Sequence, residues 1–120
     1  MIAQLRNSSS FLNYDLHRVN IVQSRSCRCG HMYETAYHYF FACPLYKDQR
    51  NKLMIDLHWV LEFCNIDLNL LIGLAENLSE RQHEAVLDQV YTFVKSTKRF
   101  LIALVVLVHT TSHHKMFLYF

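Results

Sequence analysis

The sequence predicts a small, mainly α-helical fold of about four to five helices. Only two glycines and one proline occur in 120 residues, which favours helices joined by short connections over a turn-rich β-sandwich. Hydrophobic residues make up 52% of the chain, too large a share for a disordered tail. A chain of this length is expected to form one domain with a modest core.

Little regular structure is predicted at the N-terminus, before the first helix. Residues 1–8 are expected to be loose. Ser9 or Ser10 can cap a helix over residues 11–19, whose apolar residues recur at helical spacing. An extended connection follows over residues 20–26.

Residues 27–43, with the sequence CRCGHMYETAYHYFFAC, contain a dense group of side chains that bind metals. Three thiols and one imidazole form a complete tetrahedral ligand set for zinc, of the closed kind found in structural sites. Zinc would join a turn, a short helix and the start of a longer helix. The sequence therefore predicts a Zn²⁺ site formed by Cys27, Cys29, His38 and Cys43, in a zinc knuckle that precedes a small helical bundle.

Two alternatives to this ligand set stay open. His31 competes with His38, although His38 is preferred because a helix would hold its ring in a fixed direction. The cysteines can also be ordinary buried thiols, with His38 as a core histidine. Cys64, the fourth cysteine, is expected to be a buried free thiol.

Three helices are predicted after the knuckle. The first runs from residue 44 to about residue 63 with Trp59 as a large buried contact. Asn65 or Asp67 caps a short apolar helix. The last helix begins with a capping box, Ser79 with Gln82. Its apolar face is formed by Val86, Val90, Phe93 and Val94.

Positive charge is concentrated in the first half of the chain. Residues 1–52 contain seven Lys and Arg against three acidic residues, whereas residues 53–120 contain five against seven. Cations interleaved with aromatic rings are typical of nucleic-acid binding, although such rings can also be core and such cations a solvated face. The aromatic residues in question are Tyr33, Tyr37, Tyr39, Phe40 and Phe41. The candidate nucleic-acid contacts are Arg18, Arg25, Arg28, Lys47 and Arg50.

A longer motif surrounds the cysteines: Leu-Asn, then Cys-x-Cys-Gly, Glu-Thr, a histidine, Cys-Pro-x-Tyr, an arginine and a leucine. Its residues are Leu12, Asn13, Cys27, Cys29, Gly30, Glu34, Thr35, His38, Cys43, Pro44, Tyr46, Arg50 and Leu53. This motif resembles the C-terminal region of reverse transcriptases from non-LTR, LINE-like retrotransposons, over roughly residues 8–100. The resemblance implies zinc bound by the same four residues, and an accessory region that grips RNA or DNA beside the polymerase and endonuclease.

The chain departs from that family in two respects. Its acidic residues are scattered singly, so it lacks the paired aspartates of the polymerase, and residues 101–120 do not resemble the family. We therefore expect a fragmentary or degraded copy without polymerase activity. The alternatives are a zinc-stapled helical module for protein interaction, and a relic open reading frame with no selected function.

The sequence favours neither an enzyme nor a membrane anchor. It has no nucleophile elbow, phosphate-binding glycine loop or paired carboxylates, and four protein ligands leave zinc no open position. We therefore expect no small-molecule substrate. The apolar run over residues 100–108 is much shorter than the roughly 20 residues of a spanning helix.

The first residues lead into a polar Asn-Ser-Ser-Ser run instead of a secretory signal, so we expect an intracellular location, nuclear or cytoplasmic. We divide the chain into residues 1–8, a zinc-binding helical module over residues 9–100, and an apolar tail over residues 101–120.

Overall fold

The computed structural model describes residues 2–61 and 65–100, which form helices and no strand, so the predicted mainly α fold is confirmed. A π-helix, His38–Ala42, and a 3₁₀ turn, Pro44–Tyr46, lie between the second and third α-helices. Cys64 and residues 101–120 lie outside the described residues, and so do the predictions made for them. The α-helices are α1 (Ile2–Arg6), α2 (Asn13–Arg18), α3 (Lys47–Val60), α4 (Leu68–Leu71) and α5 (Glu80–Thr97).

The first helix, α1, forms where the sequence predicted a loose N-terminus. Leu5 is buried in the core, and the guanidinium of Arg6 donates to the carbonyl of Ile72, just after α4. A Cβ added to Gly73 would lie 2.5 Å from Nη2 of Arg6. A residue without a side chain at this position therefore allows α1 to approach the end of α4 closely.

The second helix is shorter than predicted, and neither serine caps it. Ser10 is buried, and its Oγ donates to Asp15 Oδ2 at 2.7 Å while accepting from Leu12 N at 3.2 Å. The N–H of Asn13 donates instead to Oε1 of Glu34, at 2.7 Å. A carboxylate distant in sequence therefore satisfies one of the free N–H groups at the start of α2.

The core is built chiefly by α3 packing on α5. Leu53 and Leu57 are the buried residues of α3, and all four residues of the predicted apolar face of α5 are buried. The predicted capping box is also confirmed, because Ser79 Oγ accepts from Gln82 N at 3.2 Å and Gln82 Oε1 accepts from Ser79 N at 2.9 Å. The start and the inward face of α5 therefore follow from local sequence.

The prediction that Trp59 is a large buried contact is wrong, because its side chain is 84% exposed. The face of α3 turned to the core is set by Leu53 and Leu57, with Leu61 continuing it just beyond the helix. Trp59 follows Leu57 by two residues, which rotates it by roughly 200° around the helix axis. It therefore points away from the core.

The short helix α4 begins as predicted. Asp67 is its N-cap and accepts from the N–H of Leu70 at 2.9 Å. Leu70, Leu71 and Ile72 are all buried. Among residues 2–61 and 65–100, none of the helices combines the length and the apolar character that crossing a membrane requires.

Tyr39 occupies the centre of the aromatic part of the core and is fully buried. Its ring meets those of Phe40, Tyr46, Phe93 and Phe100 edge-on, with centroid distances of 5.0–5.4 Å. This arrangement is the favoured geometry for aromatic pairs. It ties the π-helix to α5 and places the cysteine-rich segment against the core.

Candidate metal centre

Cys27 and Cys29 lie on a tight turn that backbone hydrogen bonds close. Cys27 N donates to the carbonyl of His31 at 2.8 Å, and Gly30 N donates to the carbonyl of Cys27 at 2.9 Å. Gly30 has a φ of +101°, a conformation that L side chains rarely adopt. Glycine therefore allows the chain to reverse directly after Cys29.

The π-helix places the other two candidate ligands. Its wide turn is closed by Cys43 N, which donates to the carbonyl of His38 at 2.8 Å. Thr35 Oγ1 accepts from His38 N at 3.2 Å at the start of the segment. Single π turns are rare and are frequent at functional sites. Here the turn joins His38, which the sequence placed on a short helix, to Cys43, which it placed at the start of the next helix.

The structure brings the four predicted ligands together, with one donor atom of each lying within 4.8 Å of the others. Sγ of Cys27 lies 3.7 Å from Sγ of Cys43, and Sγ of Cys29 lies 3.3 Å from Nε2 of His38. Tetrahedral zinc with its usual bond lengths separates two sulfurs by about 3.8 Å, and a sulfur and a nitrogen by about 3.5 Å. The donor set and its spacing are therefore compatible with a zinc ion.

Burial shifts the pKa values of three of these ligands, and a backbone hydrogen bond shifts that of the fourth. It raises the pKa of the Cys27 thiol to about 12 and also raises the pKa of Cys43. A backbone hydrogen bond from His31 lowers the pKa of Cys29, and burial lowers the pKa of His38. A neutral imidazole is the form that binds metal, whereas the thiols must lose their protons, so metal uptake would release protons.

The structure favours His38 over the competing His31. His38 is 4% exposed and turns Nε2 toward a thiol, whereas His31 is exposed and its Nδ1 accepts from Tyr33 N at 3.2 Å. The two imidazoles stack with their centroids 4.3 Å apart. His31 therefore covers the outer side of the His38 ring. Nδ1 of His38 is buried without a hydrogen-bond partner among the described residues.

Arg50, a predicted nucleic-acid contact, instead donates hydrogen bonds to backbone carbonyls of the knuckle. Its Nε donates to the carbonyl of Phe40 at 2.8 Å, and its Nη2 donates to the carbonyl of Cys43 at 2.6 Å. The guanidinium is half-buried, and desolvation lowers its pKa. Arg50 is therefore a positioning residue that holds the end of the π-helix on α3.

A buried ion pair beside the cysteines could not be predicted from local sequence. Glu34 is 2% exposed and accepts from Nε of Arg99 at 2.9 Å and from Nη2 at 2.6 Å. Its Oε2 also accepts from Sγ of Cys27 at 3.8 Å. Glu34 therefore connects a candidate ligand to the end of α5. Nothing in the spacing of two residues so far apart indicated that they would meet.

The other four predicted nucleic-acid contacts, Arg18, Arg25, Arg28 and Lys47, are exposed. Arg25 lies over the rings of Tyr14 and Tyr33, 5.9 Å and 5.1 Å from their centroids. The aromatic residues of the knuckle divide into two groups. Tyr33 and Tyr37 are exposed, whereas Tyr39 and Phe40 belong to the core and Phe41 is partly buried against it.

Comparison with known proteins adds no relative: no family model, no curated protein and no solved structure matches this chain.

Proposed function

We propose that Cys27, Cys29, His38 and Cys43 bind one Zn²⁺ ion that joins the cysteine turn to the π-helix. The convergence of four donor atoms within 4.8 Å supports this proposal more strongly than any other observation. Four protein ligands are typical of a structural zinc site, since a catalytic site keeps a position open for water. The proposed role of the ion is therefore to hold the fold and not to catalyse a reaction.

The test is the zinc content of protein purified under reducing conditions. We expect one zinc per chain in the parent protein, and its loss together with helical signal in His38→Ala and Cys43→Ala. His31→Ala is the matched control, because it removes the exposed neighbouring imidazole and should retain the metal. Zinc-free parent protein, or zinc retained by both ligand variants, would contradict the assignment.

We further propose that this module binds single-stranded nucleic acid, as the accessory C-terminal region of a retrotransposon reverse transcriptase. The basic first half of the chain supports this, as do the exposed Arg25 and its aromatic neighbours, Tyr14 and Tyr33. Cations can neutralise phosphates, and exposed rings can stack on unpaired bases. Association should therefore be weak and should fall with added salt.

Fluorescence anisotropy with labelled single-stranded RNA at low salt tests this function. Arg25→Gln should weaken binding, whereas Arg81→Gln, which removes an exposed cation from the start of α5, should not. Unchanged anisotropy of the RNA across the accessible protein concentrations would refute the nucleic-acid role while leaving the zinc proposal intact.

A second candidate function is a zinc-stapled module for protein interaction. The observation in its favour is the exposure of Ile55 and Trp59, 60% and 84%, which lie one helical turn apart on α3. Light scattering of the parent protein and of Trp59→Ser discriminates the two functions. A larger species that dissociates in the variant favours interaction, whereas a monomer in both favours the nucleic-acid role.

A further inference from the structure

A cavity of about 550 Å³ opens between the cysteine turn, the start of α2 and the end of α5. Its volume falls within the roughly 300–1,000 Å³ typical of small-molecule sites. The lining comes from parts of the chain that are distant in sequence and that only the fold assembles. The lining residues are Asn13, Arg28, Glu34, Tyr46, Thr97, Lys98 and Arg99.

The charges around this cavity do not balance. The carboxylate of Glu34 is engaged by the guanidinium of Arg99 through both of its oxygens. Arg28 and Lys98 form no salt bridge with any described residue. A zinc ion with three thiolates and a neutral imidazole would carry one net negative charge nearby. The two free cations exceed that charge, so the cavity keeps a net positive charge.

The cavity also has an unused hydroxyl group. Tyr46 lines the cavity, and its hydroxyl forms no hydrogen bond with any other residue of 2–61 and 65–100. A hydroxyl that lines a cavity without a protein partner is available to solvent or to a ligand. A phenolic hydroxyl beside two cations is suited to an anionic oxygen acceptor.

The end of α5 holds one of the cations in a defined place. Lys98 adopts a left-handed conformation with a φ of 57°, and its N–H donates to the carbonyl of Lys95 at 3.3 Å. Thr97 Oγ1 lies 2.7 Å from the hydroxyl of Tyr39 in the core. The side chains of Thr97 and Arg99 therefore anchor the chain on both sides of the lysine.

We infer that this cavity binds a phosphate group, with Arg28, Lys98 and the hydroxyl of Tyr46 as its donors. Where the phosphate belongs to a nucleic-acid strand, the inference rests on the proposed function. A free nucleotide presents the same phosphate chemistry. It adds Lys98 and Tyr46 to the contacts that the basic N-terminal half suggested. Because all three donors line one cavity, they act on the same phosphate.

The first arm of the test measures how RNA affinity depends on salt. Each phosphate contact to a single strand contributes about 0.7 to the slope of log K against log salt concentration. Because one phosphate is shared, the double variant should reduce that slope by about 0.7, and Arg28→Gln or Lys98→Asn alone should reduce it by no more than that. Asn is chosen at position 98 because it tolerates the left-handed conformation. Lys98→Arg should retain the slope, and Arg81→Gln is the control.

The second arm replaces RNA with inorganic phosphate and, separately, adenosine monophosphate, at constant ionic strength. Both should shift the amide resonances of Arg28 and Lys98 in ¹⁵N-resolved spectra of the full chain. The shifts should disappear in the double variant. Tyr46→Phe should weaken them without changing the charge.

The two arms separate failure of this inference from failure of the proposed function. RNA binding with an unchanged slope in the double variant overturns the phosphate cavity and leaves the nucleic-acid function standing. A slope that falls by about 1.4 in the double variant also overturns the phosphate cavity, because the two cations then contact two different phosphates. If the parent protein binds no RNA, the nucleic-acid function fails, and the resonance shifts induced by phosphate become the test of the cavity. Their presence supports binding of a free nucleotide. Their absence overturns the phosphate cavity.

Discussion

Glu34 is the residue at which the N-terminal segment, the cysteine turn and the end of α5 meet. Its carboxylate accepts from the backbone of Asn13 and from the guanidinium of Arg99, and it lies 3.8 Å from Sγ of Cys27. A buried charge is tolerated only where its partners compensate for lost hydration. The pair therefore makes the fold depend on both members being present.

The first prediction concerns the loss of that charge. Glu34→Gln leaves the guanidinium of Arg99 without its counter-ion, and removing one partner of a buried pair costs about 3 kcal/mol of the free energy of unfolding. Urea denaturation measures this cost. The control is Asp56→Asn, which breaks the exposed pair with Lys52 and should cost about 0.5 kcal/mol or less. Equal losses in the two variants would show that the buried pair has no special role.

The second prediction concerns the hydroxyl of Tyr39, which lies 2.7 Å from Thr97 Oγ1. Burial raises the pKa of Tyr39 well above its ordinary value of about 10. The neutral form is therefore favoured in the folded state, and its contribution to stability is complete below pH 10. As the pH rises above 10, tyrosine ionises in the unfolded chain first, and stability falls.

Tyr39→Phe isolates this effect. At pH 7 the variant should lose about 1 kcal/mol, the usual contribution of one hydrogen bond. Its stability should fall less steeply than that of the parent above pH 10, when both are measured by chemical denaturation across pH 7–11. Tyr91→Phe, at an exposed position on α5, is the control. Parallel pH profiles for the parent and Tyr39→Phe would refute the argument.

At the scale of the element, α5 is the helix whose start the local sequence specifies most completely. Ser79 and Gln82 satisfy each other's backbone N–H groups, and four apolar residues at helical spacing face the core. In α3 the buried residues are Leu53 and Leu57, whereas Trp59, which the sequence predicted to be buried, is exposed. A single aromatic residue beside an apolar stripe does not reveal on which side of the helix the partner lies.

The third prediction concerns the N-cap of α5. Ser79→Ala should lower the free energy of unfolding by about 1 kcal/mol, because it leaves the N–H of Gln82 without its acceptor. Amide hydrogen exchange should quicken in the first turn of α5. Ser96→Ala is the matched control in the last turns of the same helix. It should be nearly neutral, because alanine is the better helix former. If the two variants have equal stability, the capping box contributes nothing.

At the scale of the molecule, two kinds of interaction hold the chain together. Helices α3 and α5 share an apolar core with the aromatic cluster around Tyr39. The cysteine turn is joined to that core by the candidate metal ligands, by Arg50 and by the pair of Glu34 with Arg99. Loss of the proposed zinc ion should therefore loosen the knuckle directly and, through these contacts, reduce the helical signal of the core.

The fourth prediction concerns metal removal. With free zinc at 100 times its dissociation constant, binding stabilises the folded state by about 2.7 kcal/mol, and a chelator removes that contribution. Thermal unfolding followed by circular dichroism should show a lower midpoint after chelation, which added zinc restores. His38→Ala should show the lowered midpoint without chelator and no response to added zinc. A midpoint that chelation does not move would mean that folding does not depend on the ion.

The sequence by itself determined the features that depend on neighbours a few residues apart. The helical class, the capping box of α5 and the set of four candidate ligands follow from short-range spacing, because a capping bond spans three residues and the ligands lie within residues 27–43. For the cap of α4 the sequence offered both Asn65 and Asp67, and the structure selects Asp67. Only the tertiary structure decided which distant residues meet. Glu34 and Arg99 are 65 positions apart, and local hydrogen bonding cannot specify such a contact. The exposure of Trp59, the commitment of Arg50 to the backbone and the cavity between Arg28 and Lys98 likewise depend on how the helices pack, which no local pattern encodes.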